Sequence, residues 1–157
     1  MHALVFIKQV PQQNSVKLTP DKKIDASGIE PIISLFDEYA IEEALLQVEK
    51  TGGKVTVATI GSEEDKEALR KALAMGADQA ILAIDPAFTE LDSLGAAQVG
   101  AALVRKLGDV DVIFCGKQST DDESAAFGPA LARYLGIPVL TYVYKVHELD
   151  SAARRVV

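Results

Sequence analysis

Apolar and polar positions along this chain fall into blocks whose period switches repeatedly between that of a strand and that of a helix. Residues 3–7, Ala-Leu-Val-Phe-Ile, form a short unbroken apolar run, the pattern of a strand covered on both faces. Over residues 36–50, Ile41, Ala44, Leu45 and Val48 recur at i, i+3, i+4 and i+7, which predicts a helix with one apolar face, ended by Gly52-Gly53. Residues 54–60 alternate and are rich in Val and Thr, predicting a second strand. Ser62, with Asp65 three positions on, has the spacing of a capping box, and a second helix is expected over 63–75. Gly76-Ala77-Asp78 then turns into a third strand, 79–84. Asp92 or Ser93 caps a third helix that runs to about Leu107 and ends at Gly108. A fourth strand is expected over 110–115, a fourth helix over 130–135 with a stop at Gly136-Ile137-Pro138, and a fifth strand over 139–146. Residues 146–157 read as a strand, a turn and the start of a returning strand.

This alternation predicts an α/β fold: a doubly wound, mostly parallel sheet of Rossmann-like type, with helices on both faces and right-handed crossovers. The expected strand order, numbering along the chain, is 3-2-1-4-5. The order reverses between strands one and four, and ligands in such sheets bind outside the carboxyl ends of the strands at that reversal. The loops after Ile7 and Cys115 should therefore line one crevice. Residues 10–31 are irregular and polar. A small hairpin of Val16-Lys17-Leu18 with Ile24, around Pro20-Asp21, is expected there. A connection of this length is often functional or partner-binding.

The loop after the fourth strand is the strongest chemical signal. Residues 116–129 read Gly-Lys-Gln-Ser-Thr-Asp-Asp-Glu-Ser-Ala-Ala-Phe-Gly-Pro. A polar, Gly-, Ser- and Thr-bearing turn between a strand and a helix is where α/β proteins hold phosphates, because the helix start offers unpaired N–H groups and the positive end of a dipole. The loop has neither a P-loop pattern nor Gly-x-Gly-x-x-Gly, so a nucleotide site of another kind is indicated.

Composition narrows the field. The length, 157 residues, suits one domain, and a hydrophobic content of 48% argues against disorder. There is no long apolar span, and the opening residues lack a charged leader region, so a cytoplasmic protein with no membrane insertion is expected. A net charge of −7 disfavours nucleic acid as a partner. The single cysteine, Cys115, excludes an intrachain disulfide, and its place at the end of a buried strand points to inert packing. His2 and His147 lack ligand spacing, and no metal site is expected. No Ser/His/Asp arrangement or carboxylate pair sits at the crevice, so no catalytic residues are assigned.

Several strings then identify a family resemblance. Ile7-Lys8-Gln9-Val10-Pro11, Phe36-Asp37-Glu38-Tyr39-Ala40-Ile41-Glu42-Glu43-Ala44-Leu45, Ala72-Leu73-Ala74-Met75-Gly76-Ala77-Asp78, and Gly116-Lys117-Gln118 with Asp121-Asp122 and Gly128-Pro129 all resemble electron transfer flavoprotein β subunits, in the same order along the chain. The resemblance implies a non-enzymatic carrier subunit that pairs with an FAD-bearing α subunit. Such a complex passes electrons from dehydrogenases to a quinone-linked oxidoreductase or another acceptor. It also implies AMP in this subunit, or FAD in bifurcating members. Carried over by position, the pocket comprises Phe6, the segment Ser34-Leu35-Phe36-Asp37, and Ile60. Its main segment is Gly116, Lys117, Gln118, Ser119, Thr120, Asp121 and Asp122, continuing through Glu123 to Ser124, Ala125, Ala126 and Phe127. The backbone around residues 124–127 and the Ser124 hydroxyl are expected to face phosphate.

There are departures from the family pattern. Ser34-Leu35 stands where Asn-Pro is common, and Ala126 supplies no Gln side chain, which leaves backbone recognition as the main expectation. Asp122 would repel a diphosphate if it faced inward, so AMP, or an empty pocket, is expected over FAD. The family's β subunits continue beyond this length, so residues 1–157 are expected to be one nucleotide-binding domain, truncated relative to the family.

Bland readings stand beside these. Asp121, Asp122 and Glu123 suit simple capping of the following helix. Lys8 and Lys117 suit solvated lysines, and Phe36 suits core packing. The alternative function is a stand-alone adenine-nucleotide-binding module of the universal stress protein type, although the Gly-x-x-Gly phosphate loop expected of it is missing.

Overall fold

A computed structural model describes residues 1–12, 17–22, 24–25, 28–88 and 91–157. Four parallel strands form the central sheet: β1 (His2–Phe6), β6 (Lys54–Gly61), β7 (Gln79–Ile84) and β8 (Val112–Cys115), in the spatial order β7-β6-β1-β8. This is the expected 3-2-1-4. Every residue of β1 is buried, because β1 lies between β6 and β8 and alternate side chains enter different cores. Ala3 and Val5 pack under the helices α1 (Leu35–Thr51) and α2 (Lys66–Met75), against Ile41, Ala44, Leu69 and Ala72. Leu4 and Phe6 pack on the other face under α3 (Ser93–Leu107) and α4 (Phe127–Leu135), against Ala97, Ala101 and Leu131. The unbroken apolar run of the first strand thus reports two covered faces.

Local chemistry sets the helix ends. The Ser62 side chain accepts from Glu64 N and Asp65 reaches back to Ser62 N at 2.6 Å, so the predicted capping box forms, opening a short 3-10 turn (Glu63–Asp65) that runs into α2. Asp92 caps α3 through Gly95 N at 2.7 Å. Small residues let α3 approach the sheet. A Cβ on Gly100 would stand 3.3 Å from Phe6 Cζ and 3.4 Å from both Leu131 Cδ1 and Phe127 Cζ. Gly100→Val should therefore cost about 1–3 kcal/mol by wedging α3 away from β1 and α4. The fall in urea midpoint measures it, and an unchanged midpoint would show that the contact is slack.

Outside the sheet, β2 (Gln9–Pro11) pairs with β5 (Pro31–Ile33), and β3 (Lys17–Leu18) with β4 (Ile24–Asp25), both antiparallel. The second pair is the expected hairpin. Val16, which the sequence assigns to it, lies outside the described residues. A last antiparallel pair, β9 (Leu149–Asp150) and β10 (Arg155–Val156), forms the returning strand read from residues 146–157.

The expected fifth strand is corrected. Residues 139–146 form no strand, so the order 3-2-1-4-5 stops at 4. Tyr142 sits in the left-handed region at φ 56, which interrupts an extended run. Val139, Leu140, Val143 and Tyr144 are all exposed, so a strand there would have little apolar surface covered. Gln47 on α1 anchors the end of the segment through the Val146 carbonyl at 3.3 Å. Among the described residues no helix is long and apolar enough to cross a membrane.

Candidate functional site: a crevice at the sheet reversal

The crevice forms where β1 and β8 end side by side and the strand order reverses. Two residues at the start of α1 tie the loops together. Asp37 is only 7% exposed, and its carboxylate accepts from Lys8 N at 2.9 Å through Oδ2 and from Gly116 N at 3.1 Å through Oδ1. Ser34 is fully buried. Its N–H donates to the Lys8 carbonyl at 2.9 Å and its hydroxyl oxygen accepts from Thr120 N at 3.2 Å. Ser34 and Asp37 therefore each bridge the β1 end and the β8 loop. Gly116 is required for the second bridge, because a Cβ there would lie 2.3 Å from Asp37 Oδ1 and 2.8 Å from the Phe36 carbonyl carbon.

Burial dominates the electrostatics of Asp37. It pushes the carboxyl up from its ordinary 3.8 to about 7. The N–H groups of Lys8 and Gly116 and the Lys8 charge pull the other way, and Asp121 adds a like charge. Burial also pushes the neighbouring Cys115 thiol up to about 12, with Asp37 contributing, which suits the inert packing role read for this cysteine.

At the mouth, Lys8 Nζ meets Asp121 Oδ2 at 2.7 Å and Asp122 Oδ2 at 3.7 Å. Burial alone would raise both carboxyls, but Lys8 and Ser119 for Asp121, and Ser124 N, Ser119 and Lys8 for Asp122, hold them below the usual range. Asp122 Oδ1 accepts from Ser119 Oγ at 3.1 Å and Ser124 N at 2.8 Å, so this carboxylate is bound within its own loop. The expectation that residues 121–123 cap α4 is corrected. The helix starts at Phe127 after Ala126, with no side-chain cap, because the loop runs on past these acids. Glu123 and Ala125 both have φ 53, a conformation costly for side-chain-bearing residues and concentrated at functional loops.

The remaining predicted residues lie on β1, β6, the start of α1 and the β8–α4 loop. Phe6, at the end of β1, stacks edge-to-face on Phe127 at 5.2 Å, and Ile60, near the end of β6, packs into the same cluster. The half-buried Phe36 lies 6.0 Å from Lys117 Nζ, which also stands 4.8 Å over the Tyr142 ring. Gln118 is half-buried in the loop. Ser124 and Ala126 lie at the entry to α4, where Pro129 has no N–H and the first turn presents those of Phe127 and Gly128. Two contributors escaped the sequence reading. Ser93, recognised only as a possible cap, has its hydroxyl 2.8 Å from that of Ser124. Tyr142 reaches Lys117 from the segment misread as a strand. No local pattern in the sequence links either pair. A separate open cleft of about 220 Å³ lies one strand over, among Gly61, Ser62, Glu63, Ile84, Asp85 and Pro86. Among the described residues no cluster of His, Cys, Asp or Glu could hold a metal ion.

Residues 21–157 match the electron transfer flavoprotein domain. The chain belongs to the electron transfer flavoprotein domain family. It is 44% identical over 147 residues to the electron transfer flavoprotein subunit beta of Thermoanaerobacterium thermosaccharolyticum, covering 93% of this chain and 56% of that protein. It is 40% identical over 161 residues to the protein FixA of Azorhizobium caulinodans, covering 99% and 57%. It is 37% identical over 155 residues to the caffeyl-CoA reductase-Etf complex subunit CarD of Acetobacterium woodii, covering 98% and 59%. The resemblance to β subunits read from the motifs is borne out, and the stress-protein alternative is not favoured. The chain spans little more than half the length of the curated relatives it matches.

Proposed function

We propose that this chain is the nucleotide-holding part of an electron transfer flavoprotein β subunit, with AMP in the crevice between β1 and β8. The observation that carries the reading is the pair of bridges from Ser34 and Asp37, which draw the Lys8 and Gly116–Thr120 backbones together at the sheet reversal. The donor set fits a nucleotide monophosphate. The first turn of α4, the Ser124 hydroxyl and the Lys8 ammonium suit a phosphate, while Phe36 and Ile60 offer apolar surface to a base. Lys8 is half-exposed in its pairing with Asp121 and Asp122, so an incoming anion exchanges one weak surface pair for another.

The chain's own residues bind and orient; none is placed to make or break a substrate bond. AMP serves as a structural ligand that completes the crevice. The flavin chemistry belongs to FAD held mainly by an α subunit, and the assembled heterodimer shuttles electrons from dehydrogenases to an acceptor such as a quinone-linked oxidoreductase. FAD in this crevice is the second reading, the one the family resemblance gives for bifurcating members. Asp122, folded into its loop rather than free, poses less of a barrier to a diphosphate than its charge suggests.

The test is to purify the chain, denature it and identify released small molecules by mass spectrometry. Near-stoichiometric AMP, with no flavin absorbance in the intact sample, is expected. Stoichiometric FAD would favour the second reading. Absence of any nucleotide, together with no AMP binding on titration, would contradict both.

A further inference from the structure

We propose that Asp37 is the positioning residue of this crevice: its single buried carboxylate ties the end of β1 to the start of the β8–α4 loop, and protonation slackens that tie and weakens nucleotide binding. This inference rests on the nucleotide reading above for its effect on affinity, but not for the tie itself. The geometry has three parts. One carboxylate accepts two backbone N–H groups, Lys8 at 2.9 Å and Gly116 at 3.1 Å, from segments 108 residues apart in sequence. Each oxygen serves one loop, so a proton on either turns an acceptor into a donor facing an N–H, and one loop loses its partner. Gly116 has no Cβ, and the approach of its backbone to Oδ1 leaves no room for one.

The charged and titratable surroundings set how readily the proton is taken. Lys8, at the end of β1, favours the carboxylate, but its ammonium is shared with Asp121 and Asp122. Asp121, from the loop, disfavours the carboxylate. The Cys115 thiol on β8 stays neutral, its pKa held near 12. Glu38, next on α1, is half-buried. Burial outweighs the favourable contacts, so Asp37 takes its proton near pH 7. Ser34 makes the parallel link between Lys8 and Thr120 with no titratable group. Protonation of Asp37 therefore loosens one of its two links while Ser34 keeps both segments attached. The crevice widens rather than unfolds.

The experiment uses the full chain in two stages. First, amide NMR without nucleotide follows Lys8 and Gly116 N–H from pH 5.5 to 8.5, in the wild type and in Asp37→Asn. Both amides should shift with one shared midpoint near 7 in the wild type and stay flat in the variant. Flat wild-type amides, or two separate midpoints, would overturn the tie. Second, AMP affinity is measured by calorimetry at pH 6 and pH 8 in both proteins. The variant corrects for titration of the AMP phosphate itself. The gain in affinity from pH 6 to pH 8 should be about tenfold larger in the wild type, the scale of one hydrogen bond to a charged group. Equal gains in the two proteins would overturn the positioning role even if the amides titrate. Wild type that binds no AMP at either pH, with amides that titrate, would overturn the nucleotide reading and the positioning role together, leaving the tie as a purely structural element.

Discussion

Gly116→Ala should lower stability by roughly 3 kcal/mol and abolish high-affinity nucleotide binding, although it adds one methyl group. The added carbon would stand 2.3 Å from Asp37 Oδ1 and 2.8 Å from a backbone carbon of Phe36. The Phe36 backbone is held by helix α1, so it cannot retreat as a flexible side chain would. The loop must move instead, and the hydrogen bond from Gly116 N to a buried carboxylate goes with it. The cost thus combines overpacking with a buried carboxyl that has lost a donor. Gly128→Ala is the control, since its Cβ meets only Cys115 Cβ at 3.8 Å and a helical position favours Ala. Urea unfolding of the two variants should differ by several kcal/mol in favour of Gly128→Ala. Equal midpoints would mean that the close approach at Gly116 carries no energy.

The second large effect concerns pH. The folded state holds a proton on Asp37 up to about pH 7, whereas the unfolded chain releases it near 3.8. Between those values the folded state binds more protons, so the Asp37 contribution to stability falls as pH rises and levels off above about 7. At roughly 1.4 kcal/mol for each pH unit, the loss reaches about 4 kcal/mol. Asp37→Asn does not titrate. Its stability relative to wild type should improve by about that amount between pH 4 and pH 8, whatever the amide costs in hydrogen bonding at either end. A difference that stays constant across this range would show that Asp37 is not buried as described. The direction is opposite to that of the surface acids Asp121 and Asp122, which are held low and favour the folded state above their range.

What the sequence reveals here depends on whether the relevant contacts are local. The third strand was legible at both ends, because Gly76-Ala77-Asp78 marks its start and an apolar run defines it. The Ser62–Asp65 box was legible because all its partners lie within four residues. The place of the reversal was legible through topology: the expected order 3-2-1-4 sets the ends of β1 and β8 side by side, and the sheet has that order. Residues 139–146 misled because Val, Leu, Thr and Tyr fit a strand by propensity, and propensity says nothing about whether a covering layer exists. Asp37 was picked out by motif, yet its mode of action was hidden. An acid in the first turn of a helix normally faces water and favours the helix dipole. Here it turns inward, and only the fold brings Gly116, 79 residues away, to its other oxygen. The acids at 121–123 suit a helix cap by type, but α4 starts only at Phe127, because the length of the loop before it cannot be read from charge.

The central claim is that the crevice between β1 and β8 takes an adenine nucleotide. Amide chemical-shift mapping of the full chain during titration with AMP at pH 8 tests it most directly. The account predicts saturable shifts at Lys8, Phe36, residues 116–120 and residues 124–128. Shifts gathered instead around Gly61, Ser62 and Asp85, at the neighbouring cleft, would contradict it, as would a spectrum that AMP leaves unchanged.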